Sequence, residues 1–339
     1  MRGRGLAALA TLLLTTTSIA GAAELNLYSS RHYDTDEALY SQFEEQTGIT
    51  INRIEGDADE LIERIRAEGE DSPADVLITV DAGRLWRADQ EGLLEPVSSA
   101  ALDEKIPESY RHPDGHWFGF SKRARVIYYD KEAIDPALVQ TYEDLASSEL
   151  EGEVCIRSSS NIYNLSLMSS LIEHHGEEGA LEWAEGVTAN FARQPEGNDT
   201  AQIKAVAAGE CGVAVGNHYY FVRLIASEDP ADQEVVEKVG YVFPNQGDRG
   251  THINISGAGV VKGAPNHDAA VQFLEYLASD EAQQYFAAGN NEFPIVDGVE
   301  PANDHLATLG EFEEDNLNVA TLGSNQPTAQ IVYDKAGWR

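Results

Sequence analysis

The sequence predicts an α/β protein of two doubly wound lobes joined by a hinge, with a cleft between them. Three observations carry this. Strand-like apolar runs alternate with helix-like amphipathic stretches from residue 24 onward, the pattern of a parallel sheet wrapped by helices. At 339 residues the chain exceeds the usual length of one domain. Around Trp117–Asp130 the alternation gives way to one long extended run behind a Pro- and Gly-bearing loop. That is the place for the chain to cross into a second lobe.

Each element has its own warrant. Glu24–Ser30 alternates as a strand, and Asp34, Thr35 and Asp36 offer caps for a helix through Glu45 with Leu39 and Phe43 on one face. Ile49–Ile54 reads as the second strand. Asp59–Glu68 is a helix by the spacing of Leu61, Ile62 and Ile65. Asp75–Val80 is apolar enough to be buried on both faces, as parallel strands are. A helix from Ala82 follows, closed by Gly92-Leu93-Leu94. Beyond the crossing, strand Val154–Arg157 leads through Ser158–Asn161 into a helix over Ile162–His174. Helical stretches at Ala180–Thr188 and Ala201–Ala208 come next, then a strand from Cys211 that ends at Tyr219-Tyr220. Val239–Phe243, Asn254–Val261 and a helix over Ala269–Ala278 read as the return to the first lobe, with the tail packed back on the second. The expected division is a leader over 1–23, a first lobe of 24–125 plus 250–300, and a second of 126–249 plus 301–339.

The first residues have the parts of a cleavable secretory signal. Arg2 and Arg4 form the charged end, Leu6–Leu14 the apolar run, and Ala20-Gly21-Ala22 a small-residue cleavage site. No later stretch approaches the roughly 20 apolar residues that span a bilayer. A soluble, exported protein is expected. Cys155 and Cys211 are its only cysteines. In an exported chain two cysteines most simply make one disulfide, and each stands at a strand-like segment.

Formal net charge is −35, from 23 basic and 58 acidic residues. Loss of Arg2 and Arg4 with the leader makes it more negative still. The acidic excess runs along the whole chain, so it describes a general surface suited to a salty medium. A nucleic-acid partner would want a basic footprint instead.

Three places set tyrosine or histidine just past a strand: His32-Tyr33, Tyr163 and Tyr219-Tyr220. In a two-lobed fold, strand ends open into the cleft. Four phenols and an imidazole suit a hard, highly charged ion. A free phenol has a pKa of about 10, so only a strongly acidic metal displaces its proton at neutral pH. Ferric iron fits. Calcium and magnesium prefer carboxylates and carbonyls, and zinc thiolates and imidazoles. Four phenolates leave a ferric site with one surplus negative charge, which Arg123 or Arg125 at the lobe crossing would balance. His112 and His116, in a His-Pro-Asp-Gly-His turn, are expected to face solvent, and Glu173-His174-His175 to end a helix. There is no Gly-rich phosphate loop, EF-hand spacing or Gly-x-Ser-x-Gly elbow.

Five stretches together resemble the ferric iron-binding periplasmic proteins of bacterial ABC transporters, which have the type II periplasmic binding protein fold. They are Leu27–Tyr33, Ala74–Trp86, Gly119–Arg125, Ser158–Tyr163 and Gly216–Tyr220, and the likeness covers essentially the whole mature chain. The resemblance implies iron held by Tyr33, Tyr163, Tyr219 and Tyr220, with His32 as fifth ligand or close neighbour. Arg123 looks like the nearby cation of the tyrosine-rich branch. Another branch has a carboxylate ligand after the third strand; here that region reads Thr79-Val80-Asp81-Ala82, and Asp81 is not assigned as a ligand. Ser158, Ser159, Ser160 and Asn161, before a helix, are a possible seat for a synergistic anion such as carbonate. The implied partners are a membrane permease and its ATPase; the protein is expected to be a monomer and not an enzyme. The rival reading within this fold is a binder of an organic solute or oxyanion. A secreted hydrolase or redox enzyme, from another class, lacks a recognisable nucleophile–base arrangement here.

The acidic surface generates a first prediction. Self-repulsion on this scale is relieved by screening, so the melting temperature should rise between dilute buffer and molar salt. A calorimetric scan showing no rise contradicts it.

Overall fold

The computed structural model describes residues 23–31, 33 and 35–339. Residues 1–22 of the expected leader, and His32, lie outside the described residues.

The first third of the chain alternates as its sequence pattern requires. Strands β1 (Glu24–Ser29), β2 (Thr50–Glu55) and β3 (Val76–Val80) are separated by helices α1 (Asp36–Thr47) and α2 (Ala58–Glu68). Helices α3 (Ala82–Gln90) and α4 (Ala100–Lys105) follow. β1 pairs in parallel with both β2 and β3. α2 begins where the Asp57 side chain accepts from the Asp59 N–H, and α1 stops at Gly48 in the left-handed region.

Strand β4 (Phe118–Asp130) runs for 13 residues, about twice a usual strand. The remaining strands are β5 (Val154–Cys155), β6 (Val213–Asn217), β7 (Val239–Val242), β8 (Ile253–Val260) and β9 (Phe293–Pro294). The main path of the sheet is β2-β1-β3-β8-β4-β6-β5, with β7 and β9 also on β4. β4 therefore belongs to both halves. It pairs with β8 up to Ala124 and with β6 from Arg125 onward. The change of partner falls between these two residues, so Arg123 and Arg125 straddle it.

The helices of the second half are α5 (Ile162–Ala189), α6 (Asp199–Ala207), α7 (His218–Ile225), α8 (Pro230–Lys238), α9 (His267–Leu277), α10 (Asp280–Asn290), α11 (Asp304–Ala307), α12 (Ala320–Ser324) and α13 (Gln326–Ala336). One expectation holds here and two shift. α5 is two helical segments that meet at Gly176, whose φ of 71° and ψ of 173° are non-helical and cost a residue without Cβ little. The helices predicted over 162–174 and 180–188 are thus distinct, and Glu173-His174-His175 ends the first of them. β7 stays with the second half, pairing β4 over Ile127–Asp130, so the return to the first begins at β8. Tyr219 and Tyr220 do not end a strand. β6 stops at Asn217, and both tyrosines sit in the first turn of α7. Aromatics favour strands, but His218, Tyr219, Phe221, Val222 and Leu224 are buried at helical spacing, and that burial decides.

Two apolar cores result. One surrounds β1, β3 and β8 through Leu27, Leu77, Phe43, Phe273 and Ile255. The other lies between β4, β6 and α5, with Ile127, Val215, Leu171, Trp183 and Trp338. The tail reaches both: α13 packs on α5, while α12 touches α3 as well as α5. A Cβ on Gly323 of α12 would stand 2.3 Å from Trp86 Cβ, so glycine permits this approach.

Cys155 and Cys211 are joined, with Cα atoms 5.9 Å apart, one in β5 and the other just ahead of β6. The bond closes a loop of 56 positions, for which chain-entropy reasoning allows up to about 4 kcal/mol. Cys155→Ser with Cys211→Ser should lower the unfolding free energy in urea by up to that amount. An unchanged denaturation midpoint would contradict it.

Candidate metal centre

The fold brings Tyr33, Tyr163, Tyr219 and Tyr220 to one place. Tyr163 lies in the first turn of α5, Tyr219 and Tyr220 in the first turn of α7, and Tyr33 on the loop between β1 and α1. The Tyr219 hydroxyl donates to the Tyr163 hydroxyl at 3.4 Å, and the Tyr219 and Tyr220 rings lie 4.3 Å apart. With metal–oxygen bonds of about 2 Å, two oxygens at that separation reach a common ion. Arg223 locates Tyr33. Its guanidinium stands 5.1 Å from the Tyr219 ring and 5.5 Å from those of both Tyr220 and Tyr33.

Burial raises the pKa of Tyr33, Tyr219 and Tyr220. At Tyr33 the Glu292 carboxylate adds to this, and at Tyr219 and Tyr220 the neighbouring phenols do. The metal-free site therefore holds these phenols protonated, and one phenolate makes the next harder to form.

Guanidinium groups offset that penalty. Arg123, Arg125 and Arg157 stand 5.9, 6.0 and 5.6 Å from the Tyr163 ring. Arg31 lies 5.1 Å from the Tyr33 ring. Arg123 and Arg125, expected as one balancing cation, are both buried rather than strand-edge charges. Arg125 binds Asp199 at 3.2 Å, Asn217 at 3.1 Å and Asn164 at 2.7 Å; Arg157 takes the other Asp199 oxygen at 3.2 Å. Arg31 donates to Asp36 at 3.1 Å and to Glu292 at 3.3 Å, and Arg123 lies 3.6 Å from Glu292. Burial pulls the pKa of Arg31 and Arg123 down, but the surrounding acids more than offset it, and both are raised. Burial likewise pushes the Glu292 carboxyl up, and Arg31 and Arg123 win to hold it low. Among the described residues, Arg31, Arg123, Arg125 and Arg157 pair with Asp36, Asp199 and Glu292, and Asp81 also acts on Arg123; with Arg223, five guanidiniums stand against four carboxylates. The surplus is positive, as a cluster of phenolates requires.

Sequence reasoning missed Arg31, Arg157, Arg223, Asp199 and Glu292. Arg223 was legible: it stands three and four residues beyond Tyr220 and Tyr219, which face one another on a helix. Reading the pair as a strand end hid it. Glu292 has no local signal, because only the tertiary fold brings it to Arg31 and Arg123.

The remaining candidates divide. Ser158–Asn161 forms the loop entering α5, with the Ser158 and Ser160 hydroxyls 3.1 Å apart. Asp81 is wholly buried and accepts from Gly83 N–H at 2.8 Å, Ser166 Oγ at 2.9 Å and Asn254 Nδ2 at 2.8 Å. Those bonds make it a structural cap. His112 and His116 are half-buried rather than solvent-facing, and one ligand atom from each lies with one from Asp89 within 4.8 Å. Their rings are nearly parallel, 12° apart, so their lone pairs do not converge on one ion. His112 Nδ1 accepts from the Asp114 N–H at 3.0 Å, which leaves the proton on Nε2, facing Asp89. His116 Nδ1 hydrogen-bonds Asp89, and His112 Nε2 lies 3.5 Å from it.

The sequence matches the bacterial extracellular solute-binding protein family over residues 38–314. The chain belongs to that family. This solute-binding protein is 55% identical to iron uptake protein A2 of Synechocystis sp., over 99% of its own length and 96% of the relative's. Its fold matches the Trichodesmium protein IdiA (FutA), solved in complex with iron and citrate ligands, with a TM-score of 0.91 and 56% identity over 94% of this chain and all of that one. It also matches a ferric binding protein from Campylobacter jejuni, with a TM-score of 0.87 and 44% identity over 93% of this chain and all of that one. The two-lobed α/β architecture read from the sequence is the architecture of these proteins. Among the described residues, no helix of the solute-binding protein is long and apolar enough to cross a membrane.

The protonated phenols set a sign for pH dependence. The raised pKa of Tyr33, Tyr219 and Tyr220 keeps them neutral at pH 7, so any of them that ligates a hard ion must release a proton, and affinity for that ion then rises with pH and falls in acid. Calorimetric titration at pH 7 in buffers of different ionisation enthalpy should count about one proton released for each ligating phenol. A count near zero contradicts phenolate ligation.

Proposed function

We propose that the protein is a periplasmic receptor that captures ferric iron between its lobes and delivers it to an ABC permease driven by a separate ATPase. The observation that carries this reading is the convergence of four phenols from three separate places in the fold, with Arg223 packed against three of them. Organic solutes do not require such a set of donors, whereas a trivalent ion does. The Synechocystis relative is named for iron uptake, and the Trichodesmium protein was solved in complex with iron.

In this reading Tyr33, Tyr163, Tyr219 and Tyr220 ligate the ion, with His32, next to Tyr33 in the chain, as fifth ligand or close neighbour. The lobes divide as 24–125 plus 250–300 and 126–249 plus 301–339, so the first carries Tyr33 and the second the other three. Arg123 and the neighbouring guanidiniums neutralise the surplus charge of a ferric tetraphenolate. Ser158, Ser159, Ser160 and Asn161 are the proposed seat for a synergistic anion such as carbonate, close to Tyr163 at the start of α5. No bond of the cargo is made or broken, so the role is binding and not catalysis. The leader over 1–23 sends the chain to the periplasm, where it acts as a monomer.

Colour tests the reading. Ferric citrate added to the purified, metal-free protein should produce an orange to red phenolate-to-iron band. Tyr219→Phe with Tyr220→Phe should remove most of it. A wild-type protein that stays colourless overturns the proposal.

A further inference from the structure

One short segment, Asn290 to Phe293, touches the loop that carries Tyr33, two of the five guanidiniums and the residue before Tyr219, while supplying no phenol itself. Asn290 holds the loop that carries Tyr33. Its Oδ1 accepts from the Thr35 hydroxyl at 2.8 Å, and its Nδ2 donates to Asp36 at 3.0 Å. Glu292 takes Arg31 and Arg123, the two guanidiniums beside Tyr33 and Tyr163. Asn291 and Phe293 hold His218, the residue directly before Tyr219. The His218 Nε2 lies 2.9 Å from the Asn291 carbonyl, and its ring stacks on Phe293 at 4.4 Å and 23°.

His218 is bound on its other side as well. Nδ1 accepts from the Ala124 N–H at 3.1 Å, which places the ring proton on Nε2 and makes the Asn291 contact a donated hydrogen bond. Ala124 is the last residue of β4 paired with β8 before the strand passes to β6. A single wholly buried side chain thus links the start of α7 to the crossing strand and to the end of α10. Phe293 itself pairs with Lys122 of β4.

We infer that His218 and the Asn290–Phe293 segment act as a splint that holds the Tyr219–Tyr220 pair in register with the Tyr33 loop. They are positioning residues: none supplies a phenol, yet affinity for the ion depends on them. The physical reason is that ligands bind one ion more tightly when the elements that carry them are held in place by their surroundings. Without the splint, the pair and the Tyr33 loop would have to find register during binding, and affinity would fall. The inference rests on the ferric reading above.

The test compares His218→Phe, His218→Gln, Asn290→Ala and the double variant His218→Phe/Asn290→Ala with wild type. Ferric affinity is read by citrate competition on the phenolate-to-iron band, and apo stability by thermal melting. Phenylalanine keeps the ring but strands the Asn291 carbonyl and Ala124 N–H, and should weaken iron binding by about tenfold or more. Glutamine, which keeps a donor for Asn291, should stay within about threefold of wild type. Asn290→Ala should also weaken binding. Because both sites act through one splint, the double variant should lose less than the product of the single losses, by about threefold or more. Strictly multiplicative losses, or lower melting temperatures with unchanged ferric affinity, overturn the inference while leaving the iron reading intact. If His218→Phe does not fold, Asn290→Ala decides: unchanged affinity overturns the splint. A wild type that develops no band overturns both.

Discussion

Burying phenols side by side is tolerable only in the presence of positive charge, and that constraint organises the centre of this molecule. Tyr33, Tyr219 and Tyr220 resist ionisation, first through burial and then through their neighbours. The structure answers with five arginines, of which Arg31, Arg123 and Arg125 are almost wholly buried. A buried guanidinium is itself costly unless paired. Asp36, Asp199 and Glu292 do the pairing, each shared or hydrogen-bonded so that no carboxylate consumes all the positive charge around it. The resulting surplus favours the ionised phenols that a trivalent ion would leave behind.

This arrangement contrasts with the rest of the chain. Acidic residues outnumber basic ones by more than two to one, yet at the centre the ratio reverses. The overall charge describes the surface, and the site is an exception drawn from a small stock of arginines. Composition alone would have suggested the opposite kind of site, a nest of carboxylates for a divalent ion.

Strand β4 supplies the geometry. Its unusual length lets one strand serve two ladders, and the change of partner falls between Ala124 and Arg125. Arg123 and Arg125, two residues apart, point to the same side of the strand and so both reach the ring of Tyr163. The splint meets β4 at the same place, through Ala124 and through the pairing of β9 with Ser121 and Lys122. Control of the phenol cluster is concentrated where the two halves of the protein meet.

Much of this was legible in the linear chain. The period of apolar residues determined the early strands and helices, the long run at Trp117–Asp130 marked the crossing, and the tyrosines after strands marked the cluster. Those signals are local, and local patterns survive in a sequence. The helical placement of Tyr219 and Tyr220 was not legible, because aromatic β-propensity and helical burial disagree there and only packing resolves them. Nor were the roles of Glu292, Asn290 and His218. Their partners lie up to 261 positions away, and nothing in the intervening residues encodes the meeting. The sequence by itself determined which chemistry is available: phenols, arginines and a two-lobed frame. Tertiary structure alone decided which carboxylates hold the arginines and what keeps the phenols in register, since buried charges and interlobe contacts take their partners from distance in space and not along the chain.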